Sequence, residues 1–247
     1  MDLEFHAHFM NRWRRYFSGS DLPIAYYYAD EAADEDRAAS REVDRCLICN
    51  IYRVQQGVPY VYHAQSPGCG GAKRYAGFTQ TLRPDFEAFL SCGIPGRVEG
   101  ERYKASPELV RAHLAQHPPF EAPGTHLVFK RWDRLREDEK PLAVVFFATP
   151  DILAGLFTLA NYDVADSMGV IAPMGSGCAS IVQYAYQETA SETPRCILGM
   201  FDVSARPCVP RDVLTFAVPI ERLRTMASNM DESFLTTPSW RDVVKRI

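Results

Sequence analysis

Apolar and polar positions follow two different periods along this 247-residue chain, and they predict both helices and strands. Residues 5–17 carry large apolar side chains at four-residue steps, which is typical of an amphipathic helix. Residues 22–30, 58–64 and 141–150 are short apolar or alternating runs, which predict strands. Residues 151–230 then alternate between helix and strand patterns. The pattern therefore predicts an α/β or α+β fold.

Polar segments between these runs predict the connections. Residues 30–37, "DEAADEDR", are expected to form a solvated acidic loop. Residues 46–56 are predicted to be a helix that Gly57 ends. Residues 133–140, "DRLREDEK", are very polar and are expected to form a hinge between two halves of the chain.

The two halves, at about residues 20–136 and 141–230, resemble each other. Each contains a short strand, a proline, a glycine turn and a cysteine: "YVYHAQSPGCGGA" in the first and "GVIAPMGSGCASI" in the second. We interpret this as an internal duplication of two βαβα-type halves, packed around a central cleft in a single compact domain of residues 1–247. Cys69 and Cys178 would then lie at equivalent places and face each other across the cleft.

The amino-acid composition and the net charge argue against several classes of protein function. Apolar residues make up 47 % of the chain, enough for a sizeable core, and the formal net charge is −4. This charge gives no general attraction to nucleic acid or to anionic membranes, so neither is expected as a partner. There is no apolar run of about 18 residues that would predict a membrane span, and the N-terminal residues lack the apolar segment of a signal peptide. We expect a cytoplasmic protein whose seven cysteines are mostly reduced.

Four of these cysteines are candidate metal ligands. Cys46 and Cys49 form a C-x-x-C motif, Cys69 lies in a glycine turn, and Cys178 begins a predicted helix after a second glycine turn. Thiolates favour zinc, Cu(I) or iron–sulfur clusters. Zinc is the weaker alternative because the chain has no second C-x-x-C. A dithiol redox motif or buried core cysteines remain open alternatives.

Glycines and one arginine complete the candidate site. Gly70, Gly71 and Gly177 allow the backbone to approach a bulky cofactor closely, and their N–H groups can donate hydrogen bonds to cluster sulfides. Arg206 is a candidate for binding an anionic substrate group, with a surface ion pair as the alternative.

The remaining cysteines and His63 are also considered as metal ligands. Cys92 precedes a glycine and is the second choice for a fourth ligand after Cys178, while His63 is as plausible in the core as at the metal. Cys196 begins an apolar strand and is expected in the core. Cys208 lies in a loop, and no role is predicted for it.

Several segments together resemble the ArCR family of prokaryotic proteins, a domain family of unknown function. They are "PLAVVFFATPDILAGLFTLANY", "GSGCAS", "GMFDVSAR" and "LTFAVPIERL" in the second half, and "CNIYRVQQGVPYVYHAQSPGCGGAKRYAGF" in the first. The resemblance covers about residues 22–230. It implies a compact α/β protein of prokaryotic, often anaerobic, origin, but no activity.

The resemblance also bears on individual residues. Cys49, Cys69 and Cys178 match recurrent cysteine positions of the family, whereas Cys46 is an addition in this sequence. Gly199, Asp202 and Arg206 match its "G-x-x-D-x-x-A-R" stretch, for which the resemblance implies no role.

The leading hypothesis is a protein that binds one [4Fe–4S] cluster through Cys46, Cys49, Cys69 and Cys178. If only three sulfurs bind, one iron is open to a small-molecule substrate; if four bind, electron transfer with a redox partner or a structural role is favoured. One alternative is a metal-free enzyme with Cys178 as nucleophile and Arg206 as anion binder. Another is a small-ligand binding module that uses the cleft between the halves.

Overall fold

A computed structural model of the protein describes residues 2–247 and contains one seven-stranded mixed sheet. The strands are β1 (Ile24–Ala29), β2 (Tyr60–His63), β3 (His126–Arg131), β4 (Ala143–Ala148), β5 (Val170–Ile171), β6 (Cys196–Gly199) and β7 (Leu214–Pro219). Their order in the sheet is β2-β3-β1-β4-β7-β6-β5. Neighbouring strands are antiparallel except β5 and β6, which are parallel.

Ten α-helices occur in the described residues. They are α1 (Leu3–Tyr16), α2 (Asp34–Ala39), α3 (Leu47–Arg53), α4 (Gly70–Tyr75), α5 (Phe86–Leu90), α6 (Pro107–Gln116), α7 (Pro150–Leu159), α8 (Tyr184–Glu188), α9 (Ile220–Asn229) and α10 (Pro238–Val244). A π-helix, Ala179–Gln183, precedes α8, and a 3₁₀ turn, Arg206–Cys208, precedes β7. The predicted mixed α/β fold is confirmed. None of the helices in residues 2–247 combines the length and the apolarity that a membrane crossing needs.

Two apolar clusters cover the two faces of the sheet. Alternate side chains of β4 point to opposite faces, so Val145 lies in one cluster and Val144 in the other. The cluster of Val145 includes apolar residues of α3, α4 and the π-helix, and we call this side the thiol face because Cys178 lies in it. The cluster of Val144 includes residues of α1, α7, α9 and α10.

Two predicted connections are wrong. Part of the acidic segment forms α2, Asp34–Ala39, and is not a loop. Residues 133–140 are not a hinge between separate halves, because the strands before and after them, β3 and β4, both pair with β1 in one continuous sheet. The internal duplication stays a prediction. Strands β1 and β4 lie side by side between β3 and β7, but β6 separates β7 from β5 and has no counterpart between β3 and β2.

A buried ion network explains why the acidic segment is not a loop and why residues 133–140 are not a hinge. The Lys130 ammonium group donates to Asp36 Oδ2 at 3.1 Å and to Glu139 Oε1 at 2.8 Å, and each of these side chains is at most 5 % exposed. The Arg136 guanidinium group donates to Asp36 at 2.8 Å, and the Tyr27 hydroxyl donates to Glu139 at 2.6 Å. The network therefore attaches α2 and the polar connection to β3 and β1.

Replacement of Lys130 should destabilise the fold strongly. Lys130→Met leaves the two buried carboxylates with Arg136 as the one remaining cation, and we expect a loss of about 3 kcal/mol in the free energy of unfolding. Lys140→Met is the matched control, because Lys140 is exposed and its loss should change stability by less than about 0.5 kcal/mol. Urea unfolding measures both variants, and equal midpoints would contradict the assignment.

Candidate thiol metal site

Three cysteines meet at the start of α3. Cys46 occupies the position before the first helical residue, and Cys49 lies in the first turn. Cys208 ends the 3₁₀ turn before β7. The three sulfur atoms lie within 4.8 Å of one another and each residue is half-buried; we call them the three-cysteine group. Cys49 and Cys208 are at disulfide distance, with their Cα atoms 4.7 Å apart.

The chemistry of this group fits a thiophilic metal. A tetrahedral ion with metal–sulfur bonds of about 2.3 Å holds its sulfur ligands about 3.8 Å apart, below the 4.8 Å that bounds the separations here, and the bonded sulfurs of Cys49 and Cys208 would have to separate to accept it. Zinc, Cu(I) and iron–sulfur clusters all prefer thiolate ligands. Cys49 and Cys208 can act as ligands only when the bond between them is reduced.

Cys208 is the ligand candidate that sequence reasoning missed. It lies 159 residues from Cys49, and nothing in its local spacing indicates a partner. The fold brings it there because the connection from β6 to β7 packs against α3 on the thiol face.

Asn50 fixes the loop that carries Cys46, and it too was missed. Its side chain is buried; Oδ1 accepts a hydrogen bond from the Val43 N–H at 3.0 Å, and Nδ2 donates to the Asp44 carbonyl at 2.8 Å. The Asp44 carboxylate in turn accepts from the Cys46 N–H at 2.7 Å. The Cys46 sulfur is therefore held by α3 and by the loop before it.

Cys69 and Cys178 lie beside the three-cysteine group but outside it. Cys69 is exposed, and its sulfur accepts a hydrogen bond from the Ala72 N–H at 3.3 Å at the start of α4. Cys178 is buried directly before the π-helix. Burial raises the pKa of Cys178 well above its usual value, and the charges of Cys69, Cys46 and Asp202 raise it further. Five of the seven cysteines thus surround the start of α3, and they include all four predicted ligands.

Close backbone packing brings the turn of Cys178 to α3. A Cβ atom at Gly177 would lie 3.0 Å from Ile48 Cγ1 and 3.4 Å from Met200 Sδ. A side chain at position 177 would therefore press on Ile48, while close approach of this backbone to a cofactor stays a prediction. Gly70, by contrast, faces open space, and a Cβ at Gly71 would make ordinary contacts with Tyr75.

Asp202 holds the same turn from the other side. Its Oδ2 accepts a hydrogen bond from the Gly177 N–H at 3.2 Å, while Oδ1 accepts from the N–H and the hydroxyl of Ser204. Gly199 leaves room for the Ser180 side chain of the π-helix. The "G-x-x-D" part of the predicted stretch therefore positions Cys178.

Arg206 is engaged in local contacts. Its guanidinium group donates to the carbonyls of Val213 at 2.5 Å, Arg211 at 2.7 Å and Pro210 at 3.3 Å, and so fixes the loop after Cys208. Anion binding by Arg206 stays a prediction.

The remaining candidates lie elsewhere. The Nδ1 atom of His63 is hydrogen-bonded to Gln65, and Cys92 is exposed in the turn after α5. Cys196 is buried in the cluster on the opposite face of the sheet, which agrees with the core position expected for it.

The fold and the site together define a mixed α/β protein with a cysteine-rich centre on one face of its sheet. The chain belongs to the DUF169 family, described as uncharacterised ArCR proteins, and the family matches residues 17–229, a range that includes all seven cysteines. This confirms the family resemblance found in the sequence. Neither a curated protein nor a solved structure matches the chain.

Alanine at the two glycine turns should have opposite effects. Gly177→Ala forces the Cys178 turn away from Ile48, and we expect a loss of about 1–2 kcal/mol in the free energy of unfolding. Gly70→Ala is the matched control: the side chain enters open space at the first residue of α4, so stability should be unchanged or slightly increased. Chemical denaturation compares the two, and a Gly177→Ala variant as stable as Gly70→Ala would contradict the packing argument.

Proposed function

We propose that the protein is a metal-binding thiol protein whose reduced form holds an iron–sulfur cluster through Cys46, Cys49 and Cys208. The observation that carries this proposal is the three-cysteine group, with the turns of Cys69 and Cys178 packed beside it. Three thiolates can hold a cluster with one open iron or a single tetrahedral ion with one open position. Iron–sulfur clusters are held by cysteine thiolates, and small or polar neighbours tune them.

Burial and backbone N–H groups of the chain would set the protonation state of these ligands. Burial raises the pKa of Cys46, while the backbone N–H groups of Ile48 and Cys49 oppose that rise. Binding of a metal cation must therefore remove the Cys46 proton. Because Cys46 is half-buried, its sulfur is already held close to the other two ligands. A cluster with three cysteine ligands supplies one open iron for Lewis-acid or redox chemistry.

The proposal includes a cellular setting and a partner class. Reduced cysteines require a reducing compartment, so we place the protein in the cytoplasm. The open iron would serve a small-molecule substrate, or the cluster would exchange electrons with a redox partner. Nucleic acid and membrane have no part in the proposal.

A single Zn²⁺ or Cu(I) ion is the second candidate. The three sulfur atoms lie within 4.8 Å of one another, and a cluster holds its cysteine sulfurs further apart than a single ion does. A metal-free enzyme with Cys178 as the nucleophile is less favoured, because the thiol is buried and its raised pKa keeps it protonated at neutral pH.

Anaerobic reconstitution with iron and sulfide tests whether the three-cysteine group holds an iron–sulfur cluster. We expect the reduced wild-type protein to bind iron and acid-labile sulfide and to become coloured, and Cys208→Ser to lower the bound iron at least tenfold. Cys92→Ser is the matched control, because Cys92 is an exposed cysteine outside the site, and it should bind as the wild type does. A colourless, iron-free wild type contradicts the cluster, and one bound Zn²⁺ or copper ion instead supports the second candidate.

Metal binding should depend on the oxidation state of Cys49 and Cys208. Two electrons and two protons from a dithiol reductant convert their bond into two thiols, so titratable thiols should rise from five to seven. We expect metal uptake to appear with the last two thiols, measured by metal analysis before and after reduction. Equal uptake by the oxidised and the reduced protein would show that these sulfurs are not ligands.

A further inference from the structure

The five cysteines around α3 differ in their access to solvent. Cys178 is buried, the members of the three-cysteine group are half-buried, and Cys69 is exposed. Cys69 is therefore the cysteine of the site that is most accessible to a metal ion in solution.

The Cys69 turn lies directly against the loop of Cys46. A Cβ atom at Gly68 would lie 3.3 Å from the carbonyl oxygen of Arg45, so the residues before the two cysteines are in contact. Gly68 has a φ of +140°, a conformation that favours glycine. On the other side of Cys69, Gly70 has no heavy atom within 4 Å of the place a Cβ would take. The turn of Cys69 is thus open on its Gly70 side and packs against the loop of Cys46 on its Gly68 side.

The hydroxyl of Tyr62 is a second, independent indication of a ligand at this turn. Tyr62 is 1 % exposed, and its hydroxyl has no hydrogen-bond partner among the described residues. The oxygen lies 3.5 Å from the Cβ position of Gly68. Burial and then the charge of Cys178 raise the pKa of Tyr62, so this O–H stays protonated beside the thiols. A buried phenol without a partner is costly, and it can donate to a metal-bound thiolate.

Building on the proposed function, we propose that Cys69 is the exchange ligand of the centre: it captures a soft metal ion that arrives bound to a small thiol or chelator, and passes it inward to Cys46. The Cys69 sulfur gives up its proton and displaces the carrier ligand, which leaves with that proton. Cys46 then loses its proton and takes the ion from Cys69, which is reprotonated. During transfer the Tyr62 hydroxyl, which has no hydrogen-bond partner among the described residues, donates to a thiolate that binds the ion, and no electrons move.

Transfer of Zn²⁺ from a chromophoric chelator to the reduced protein tests this role. Zn²⁺ is the probe because it is redox-inert. In stopped-flow absorbance, wild-type transfer should accelerate with protein concentration, because Cys69 attacks the carrier complex. Cys69→Ser should transfer at least tenfold more slowly, with unchanged final occupancy and affinity, and Tyr62→Phe should be about threefold slower. Cys92→Ser, with an equally exposed cysteine removed, should match the wild type.

Each outcome decides one proposal. Cys69→Ser transfer as fast as wild type overturns the exchange role and leaves the proposed function intact. A lower final occupancy in Cys69→Ser makes Cys69 a permanent ligand and also overturns it. A wild type that takes up no Zn²⁺ overturns the exchange role, while the iron and sulfide analysis judges the proposed function separately. Thermal unfolding of each variant confirms that slow transfer does not reflect lost structure.

Discussion

The contact between Gly177 and Ile48 is the constraint on which the thiol site depends. Helix α3 has seven residues, too few to be stable alone, so its place is fixed by the burial of Leu47, Ile48 and Ile51 on the thiol face. Ile48 lies between the two cysteines of the C-x-x-C motif and packs against the turn that carries Cys178. The same apolar packing that holds the sheet face together therefore also sets the distances among sulfur atoms from distant parts of the chain.

Sequence reasoning succeeded where the information is local. The apolar runs of β1 and β4 and the end of the helical segment at Gly57 follow from short stretches of residues. It failed where the information is tertiary. The segment of α2 looks like a solvated loop, because the cations that stabilise its Asp36 come from 94 and 100 residues further along the chain. Cys208 had no assigned role for the same reason, since only the folded chain brings it to Cys49.

Under the proposed function, α3 and the 3₁₀ turn before β7 are joined both when Cys49 and Cys208 are bonded to each other and when they hold a metal. When Cys49 and Cys208 are bonded to each other, the link closes a loop of 159 residues, and closing a loop of that length restricts the unfolded chain strongly. When both bind a metal, the metal joins the same two elements. Oxidation and metal binding therefore compete for the same two sulfurs but keep the same two segments together.

The two polar assemblies of the protein differ in charge balance, and this difference favours a cation among the thiols. In the ion network, each of the buried carboxylates of Asp36 and Glu139 is paired with both Lys130 and Arg136. Around Cys178, burial raises its pKa first, and the charges of Cys69, Cys46 and Asp202 raise it further. A positive charge close by would therefore favour the Cys178 thiolate. Under the proposed function, a metal cation would supply that charge and take thiolates as ligands in the same step, so ionisation of the ligand thiols and binding of the metal would be one event.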